Sequence, residues 1–396
     1  MVEIRTPFIQ LCAISLLARL GYQMARSPVL PRFAQDLGAA PELLGLIVAA
    51  STITGVFVKL PVSALSDVLG RRKMLVLGTF CFAAPPFLYL LVQNPVSLLL
   101  LRFLHGFATA IFSPVAAAYV ARLAGKGRGE KLGWFASAGD IGGTVGPLVG
   151  GLVLHATASY PMTYLLVGIL GVFPFLLVLR LPDDPGSSER KDIHKRWPQF
   201  KAGIAEVLAN RQVLIASCAE AVMYVGYGAL LGFLPPYAKG VGLNDAEIGI
   251  ILGGQLATTM AAKPIGGRLS DHLGRKRVIL IGLLVCAGIL PLIALTKKFA
   301  LLMVLSALFG LGVAVVTPST TALVADLVKT GRMGSAMGVF GTIWDIGEAS
   351  GPILTGFLIA SLGYPPAFTL IASLITGGAL IFAILVRDPH TVYGQV

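Results

Sequence analysis

Charged residues are scarce in this chain of 396 residues. Asp, Glu, Lys and Arg make up 13% of it and hydrophobic residues 56%, whereas soluble domains carry about a quarter charged residues and need that polar surface to stay dissolved. This shortage excludes a soluble enzyme and a disordered chain. The composition instead indicates a protein whose solvent is the lipid bilayer.

Cysteines and acidic residues are also few. The four cysteines lie inside apolar stretches and form neither a CxxC pair nor a metal-binding spacing, which excludes a disulfide scaffold. The 19 acidic residues against 31 basic ones leave a net charge of +12, which would suit a nucleic-acid partner. The basic residues, however, form short clusters between apolar runs without interleaved aromatic residues. We therefore expect no nucleic-acid binding.

Phosphate-binding and catalytic motifs are missing as well. The chain has no Gly-x-x-x-x-Gly-Lys-Ser/Thr loop, no nucleophile elbow and no HExxH sequence. We therefore expect neither ATP-driven transport nor an enzyme, and we predict no cofactor and no bound metal.

Long apolar segments dominate what is present. Each is long enough for a helix that crosses the membrane, and helices are expected because a lipid-exposed backbone must satisfy its own hydrogen bonds. The segments are 8–30, 43–65, 74–93, 96–120, 132–154, 162–181, 212–236, 247–266, 277–296, 299–324, 334–359 and 365–386. The sequence thus predicts an all-α membrane protein with twelve spans.

The basic clusters orient these spans. If both termini are cytoplasmic, the inside loops hold most of the positive charge, as the positive-inside rule requires. These inside residues are Arg71, Arg72, Lys73, Lys126, Arg128, Lys131, Arg190, Lys191, Lys195, Arg196, Arg275, Lys276, Arg277, Lys329 and Arg332. The short loops suggest a bacterial cytoplasmic (inner) membrane. The polar stretch 182–211 is interpreted as a cytoplasmic linker, either solvated or with a short interfacial helix around 200–208.

An internal repeat divides the chain into residues 1–181 and 212–396. A shift of about 205 residues aligns Ser66-Asp67-Val68-Leu69-Gly70-Arg71-Arg72 with Ser270-Asp271-His272-Leu273-Gly274-Arg275-Lys276 and Asp140-Ile141-Gly142 with Asp345-Ile346-Gly347. Six spans in each half keep the same orientation, so the repeat is parallel. Folds of this kind place the substrate near the midplane between the halves.

The repeated loop resembles the signature loop of the major facilitator superfamily, Gly-x-x-x-Asp-(Arg/Lys)-x-Gly-Arg-(Arg/Lys), although the first copy has Ser63 and Val68 at two of its positions. The resemblance implies two pseudosymmetric six-helix bundles that work by alternating access. The loop residues could form a conformational latch at the cytoplasmic ends, or could serve topology alone. These residues are Asp67, Gly70, Arg71, Arg72, Asp271, Gly274, Arg275 and Lys276.

The fifth span is rich in glycine. Small residues at helical spacing let another helix backbone approach closely, and a proline bends the helix. The residues are Gly139, Gly142, Gly143, Gly146, Pro147 and Gly150. The run resembles the helix-five motif of the drug:proton antiporter branch of the superfamily; generic small-residue packing is the alternative.

Ionisable residues inside spans are candidates for a transport pathway, because burying an unpaired charge in lipid is costly. They are Arg19, Arg102, Asp140, Glu220, Asp345 and Glu348. Arg102 opens a sequence similar to a helix-four motif that holds a proton-linked arginine in the superfamily. Static ion pairs are the alternative. The resemblance also implies a cavity lined by residues such as Tyr22, Phe112, Met223, Tyr224 and Tyr227; Trp344 is a further aromatic residue inside a span.

These features predict a secondary transporter, a functional monomer in membrane lipid, that exports a small amphipathic or cationic compound in exchange for protons. An alternative is a proton-linked transporter of an anionic metabolite with Arg19 and Arg102 as an anion clamp. An alternative of another class is a non-transporting membrane receptor or lipid-handling protein.

Overall fold

The computed structural model describes residues 2–124, 127–182, 205, 208–328 and 333–386, without the side chains of 2–5, 60, 63–64, 67–68 and 333–335. Most of the predicted interfacial helix around 200–208 lies outside the described residues. The side chain of Asp67, a predicted latch residue, does so as well.

Twelve long helices make up nearly all of the described chain. They are α1 Val2–Met24, α2 Pro41–Leu69, α3 Arg71–Leu88, α4 Pro95–Ala124, α5 Arg128–Thr157, α6 Tyr160–Leu179, α7 Arg211–Gly240, α8 Asp245–Leu273, α9 Arg275–Leu295, α10 Phe299–Leu327, α11 Met333–Leu362 and α12 Tyr364–Leu385. A π-helical turn Ala25–Val29 and a short helix Leu30–Asp36 extend α1, and a 3-10 turn Tyr89–Leu91 follows α3.

Glycines end α2 and α8 at equivalent places in the repeat. Gly70 has a φ of +91° and Gly274 a φ of +92°, a conformation that glycine adopts without steric cost. Each glycine is followed directly by an arginine that begins the next helix. Both copies of the signature loop therefore make a sharp turn at this glycine.

Nine of the helices in the described part of the chain are long and apolar enough to cross a membrane, judged by length and composition alone. The long helices outside this set are α5, α8 and α11. Two of these carry the glycine-rich segments and three of the predicted acidic residues, Asp140, Asp345 and Glu348.

Helix contacts divide the chain into two units. The first unit is Met1–Ala39, Ala50–Ile193 and Asn244–Gly253, and the second is Ala40–Ala49, His194–Leu243 and Gly254–Val396. The start of α2 thus groups with the second unit and the start of α8 with the first. The predicted division into 1–181, 182–211 and 212–396 remains a prediction.

The two units repeat one internal packing pattern. In the first unit α1 packs on α5 and α6, and α3 packs on α4 and α6. In the second unit α7 packs on α11 and α12, and α9 packs on α10 and α12. This correspondence confirms the twelve-helix, pseudosymmetric all-α fold. Large apolar side chains such as Phe57, Leu380 and Ile384 are exposed, as expected of helix faces that contact lipid.

Candidate functional site

The glycine-rich face of α5 lies against the backbone of α1. A Cβ atom at Gly146 would lie 2.9 Å from the Leu20 carbonyl oxygen, and one at Gly150 would lie 2.7 Å from the Met24 carbonyl oxygen. Real Cβ contacts are essentially never shorter than 3.0 Å. At these positions a larger residue would therefore push the two helices apart.

The other residues of the glycine-rich segment differ in how closely they approach neighbouring atoms. Gly142 makes a similar backbone contact with Leu16, and a Cβ at Gly139 would lie 2.8 Å from the Ser15 hydroxyl. At Gly143 the nearest atom is the Gln23 Cγ, 4.0 Å away. Pro147 is buried inside α5. Close approach thus involves four of the five predicted glycines.

The second unit has an equivalent crossing of α7 and α11. Gly347 contacts the backbone of Ala221, and a Cβ at Gly351 would lie 3.0 Å from the Val225 carbonyl carbon. From the other side, a Cβ at Gly228 would lie 2.5 Å from the Glu348 carbonyl oxygen. The α7–α11 contact positions the candidate residues of the second unit.

Glu220 on α7 is a carboxylate inside the second unit. Its side chain has 0% exposure and accepts a hydrogen bond from the Thr320 hydroxyl of α10. Its other oxygen, Oε1, and the nearby hydroxyl oxygen of Thr317, one turn before Thr320, make no hydrogen bond within the described structure. A buried carboxylate oxygen without a donor can accept a proton or bind a cation.

Aromatic rings follow Glu220 one turn along α7. Tyr224 stacks on Trp344 of α11, with ring centroids 5.1 Å apart and planes 7° from parallel. Tyr227 meets Tyr224 edge to face at 5.5 Å. The Trp344 indole nitrogen makes no hydrogen bond among the described residues. Aromatic faces of this kind attract organic cations.

Two predicted acidic residues lie near Trp344 on α11. Asp345 is the next residue, and Glu348 lies one turn later. Asp345 is 5% exposed, and Glu348 is half-buried. Met223, predicted to line a cavity, is buried in α7. The structure thus brings the Glu220 carboxylate of α7, the Thr320 hydroxyl of α10 and the aromatic rings of α7 and α11 together in the second unit.

The predicted residues of the first unit have different environments. Arg19 is exposed although it lies mid-helix in α1, with its side chain against Gly139, and Asp140 is half-buried. Tyr22 and Phe112 belong to the apolar core of this unit. The six predicted ionisable residues are therefore divided equally between the two units.

Arg102 on α4 is buried among aromatic and polar side chains. Its Nη2 donates a 2.5 Å hydrogen bond to the Ser51 hydroxyl, and its guanidinium lies 5.7 Å from the Tyr22 ring centroid. His105, one turn later, contacts the Tyr22 ring edge to face, and its Nδ1 lies 3.2 Å from the Tyr89 hydroxyl.

The second copy of the signature loop forms an ion-pair cluster. Arg275 pairs with Asp271 and, through Nε at 3.3 Å, with Asp326 at the end of α10. Its Nη1 also donates a 2.8 Å hydrogen bond to the Ser270 hydroxyl. The adjacent Lys276 is half-buried.

The described contacts of the first copy include backbone acceptors. Arg71 donates to the Ala118 carbonyl at 3.4 Å, and Arg72 donates to the Leu179 carbonyl at 2.8 Å. Both loops therefore fix neighbouring helices inside their own unit. Asp326 was not among the predicted residues, because nothing in its local sequence distinguishes it.

An unpredicted polar network surrounds Arg32. This buried arginine pairs through Nε with Asp245, the first residue of α8, at 3.1 Å. Its Nη1 donates to Gln35 at 2.5 Å and lies 3.4 Å from Asp36. Tyr160 of α6 donates a 2.6 Å hydrogen bond to Asp36. The sequence gives no signal for the contacts with Asp245 and Tyr160, because these residues lie 213 residues from Arg32 and 124 residues from Asp36.

The sequences of related proteins align with nearly the whole of this chain. An uncharacterised MFS-type transporter of Methanocaldococcus jannaschii is 27% identical over 357 residues, 89% of this chain and 91% of the relative. The quinolone resistance protein NorA of Staphylococcus aureus is 23% identical over 366 residues, 92% of each chain.

Solved structures share the fold. A crystal structure of the nucleoside transporter NupG matches 96% of this chain and 100% of its own, with a TM-score of 0.82 and 15% identity. A D-xylose–proton symporter matches 96% and 98%, with a TM-score of 0.76 and 16% identity. The family model of the Major Facilitator Superfamily matches residues 11–244 and 216–395. The chain is therefore a multi-pass membrane transporter that belongs to the Major Facilitator Superfamily.

Proposed function

We propose that this transporter exports a small amphipathic or cationic compound in exchange for protons, by alternating access. The observation that carries the proposal is Glu220, a fully buried carboxylate with one oxygen that makes no hydrogen bond in the described structure. The Thr317 hydroxyl and the Lys263 ammonium are neighbouring polar groups. The name of the relative NorA, a quinolone resistance protein, supports export of a drug-like compound.

The position of Glu220 suits a proton–cation exchange. An ionised carboxylate out of water is costly unless a proton or a cation neutralises it. A proton and a cationic substrate therefore compete for the same oxygen. Because both cannot neutralise it at once, binding of one favours release of the other.

The aromatic rings next to Glu220 suit an organic cation. A cation over the face of a Trp or Tyr ring gains about 0.5–2 kcal/mol, with the larger values in desolvated sites. The parallel pair of Tyr224 and Trp344 offers a flat apolar surface one turn from the carboxylate. This combination favours a compound with a positive charge and an aromatic or apolar body.

The other predicted acids have supporting roles in this proposal. Asp345 and Glu348 on α11 would add negative charge in the second unit, and Asp140 on α5 would take part in proton coupling in the first. Arg19 and Arg102 would modulate these acids through their positive charge. Two further parts of the proposal are a cytoplasmic-membrane location with both termini inside and a functional monomer.

Efflux of a fluorescent lipophilic cation tests the proposal. Efflux-deficient cells that express the protein should extrude the dye, and an uncoupler should stop extrusion. Glu220→Gln should abolish uncoupler-sensitive efflux at equal expression, and Asp140→Asn should reduce it. Glu130→Gln, which changes an exposed carboxylate at the start of α5, is the matched control and should leave efflux intact.

Two results would contradict this proposal. One is unchanged proton-coupled flux in the combined Asp140→Asn and Glu220→Gln variant. The other is transport of anionic but not cationic compounds in a panel of opposite charges, which would favour the anionic-metabolite alternative. Ligand binding without any gradient-dependent accumulation would favour a non-transporting receptor or lipid-handling protein.

A further inference from the structure

Arg102 is a buried cation whose hydrogen bonding is incomplete. Its side chain has 0% exposure. A guanidinium carries five N–H donors, and the structure gives the Nη2 group one acceptor, Ser51. Nε and Nη1 make no hydrogen bond to any described residue. Three of the five N–H donors are therefore buried without an acceptor.

The groups around Arg102 do not neutralise its charge. The aromatic neighbours of Arg102 include the Tyr22 and His105 rings and Tyr89, whose hydroxyl is a further hydrogen-bonding group beside it. The Nε2 atom of His105 makes no hydrogen bond among the described residues. No ion pair between described residues includes Arg102. A ring face attracts a cation but accepts no conventional N–H hydrogen bond of full strength.

The internal repeat places a small neutral residue at the position equivalent to Arg102. The shift that aligns Ser66 with Ser270 aligns Arg102 with Ser306. Ser306 is also fully buried, and its position on α10 corresponds to that of Arg102 on α4. The second unit therefore builds the equivalent helix with a small neutral residue.

The helix crossing at this position is the same in both units. A Cβ at Gly106 would lie 2.8 Å from the Ser51 carbonyl oxygen, and a Cβ at the equivalent Gly310 would lie 2.6 Å from the Gln255 carbonyl oxygen. Both crossings are thus set by close backbone contact at a glycine. The second unit makes this crossing with a neutral residue at the position of Arg102.

We propose that Arg102 binds a small monovalent anion, either a free halide or the carboxylate group of a solute, inside the first unit. A buried charge persists only when it is paired and hydrogen-bonded, and the unpaired N–H groups of Arg102 are the donors that such an anion accepts. The Nε2 atom of His105, where it carries the proton, supplies a further donor. The proposed anion site lies in the first unit, whereas Glu220 lies in the second.

Direct anion binding tests this proposal. The purified full-length protein is exchanged into sodium gluconate and titrated with radioactive chloride at constant ionic strength. We expect saturable binding that Arg102→Gln weakens about tenfold or more. Ser306→Ala, at the equivalent position of the other unit, should leave it unchanged. Parallel thermal-unfolding titrations with chloride, formate and acetate distinguish a halide from a carboxylate ligand.

The results of these titrations distinguish a carboxylate ligand from a halide and from the absence of an anion site. Specific stabilisation by formate or acetate without chloride binding supports a carboxylate ligand at Arg102. Absence of saturable binding for all three anions overturns the proposal, and so does binding that Arg102→Gln leaves intact. If Arg102→Gln does not fold, bromide located by anomalous scattering in crystals of the unaltered protein gives the answer. Bromide beside Arg102 supports the site, and no bromide there, together with no saturable binding, refutes it.

Discussion

The contact between α1 and α5 makes a quantitative prediction about two neighbouring glycines. At Gly146 an added methyl group would lie 2.9 Å from both the Leu20 carbonyl oxygen and the Met24 amide nitrogen. These are backbone atoms, which move only if a whole helix moves. At Gly143 the nearest atom is the Gln23 Cγ, 4.0 Å away. The two positions lie in one helix and differ mainly in available space.

The expected effects have opposite signs. Overpacking costs about 1–3 kcal/mol, whereas replacing Gly by Ala within a helix gains about 0.5–1 kcal/mol. Gly146→Ala should therefore lose up to about 2.5 kcal/mol, from the difference of these two terms. Gly143→Ala should gain about 0.5–1 kcal/mol from helix propensity alone.

Thermal unfolding of the two purified variants, followed by size-exclusion fluorescence, measures this difference. Gly146→Ala should unfold several degrees below the unaltered protein, and Gly143→Ala should unfold at the same temperature or above it. Equal stabilisation of both variants would refute the claim that backbone contact at Gly146 determines the helix spacing. Equal destabilisation would show that the cost arises from something other than the α1 contact.

The aromatic pair and the Arg32 network give two further predictions. Trp344→Ala should raise the half-saturating concentration of an aromatic cation about fivefold to tenfold, because stacking and cation–π contacts contribute about 1–1.5 kcal/mol. Trp344→Phe should retain much of that affinity. Transport kinetics measure the half-saturating concentration for both variants. Arg32→Met leaves Asp245 without this partner and should cost about 3 kcal/mol in thermal or denaturant unfolding, since the arginine is buried. Asp36→Asn, at a position where the carboxylate is 47% exposed, should cost less than about 1 kcal/mol, and equal losses in these two variants would contradict the burial argument.

Local sequence patterns predicted the helices well because they depend on neighbouring residues. Apolar runs of membrane-spanning length predicted all twelve long helices, and the turns after α2 and α8 lie at Gly70 and Gly274 of the repeated loop. The four-residue spacing of Gly142, Gly146 and Gly150 indicated a face for close packing. The sequence could not name α1 as its partner.

The candidate site was harder to predict from local sequence patterns. Glu220 was identified from its charge inside an apolar span, but its hydrogen-bond partner Thr320 is 100 residues away. Arg19 has a charge at a similar depth, yet its side chain is exposed. In a soluble protein, hydrophobic periodicity would separate the buried face from the exposed one. Lipid is as apolar as a protein core, so hydropathy does not show which way a residue faces.

The sequence by itself therefore determined the solvent of this protein, the number and order of its helices and the twofold repeat, because these follow from composition and local spacing. Only the tertiary structure decided which faces meet. It placed Trp344 on Tyr224, paired Arg32 with Asp245 and left Arg102 without an acid among its described neighbours. The rotation of each helix about its axis sets those contacts, and close packing between distant segments determines that rotation.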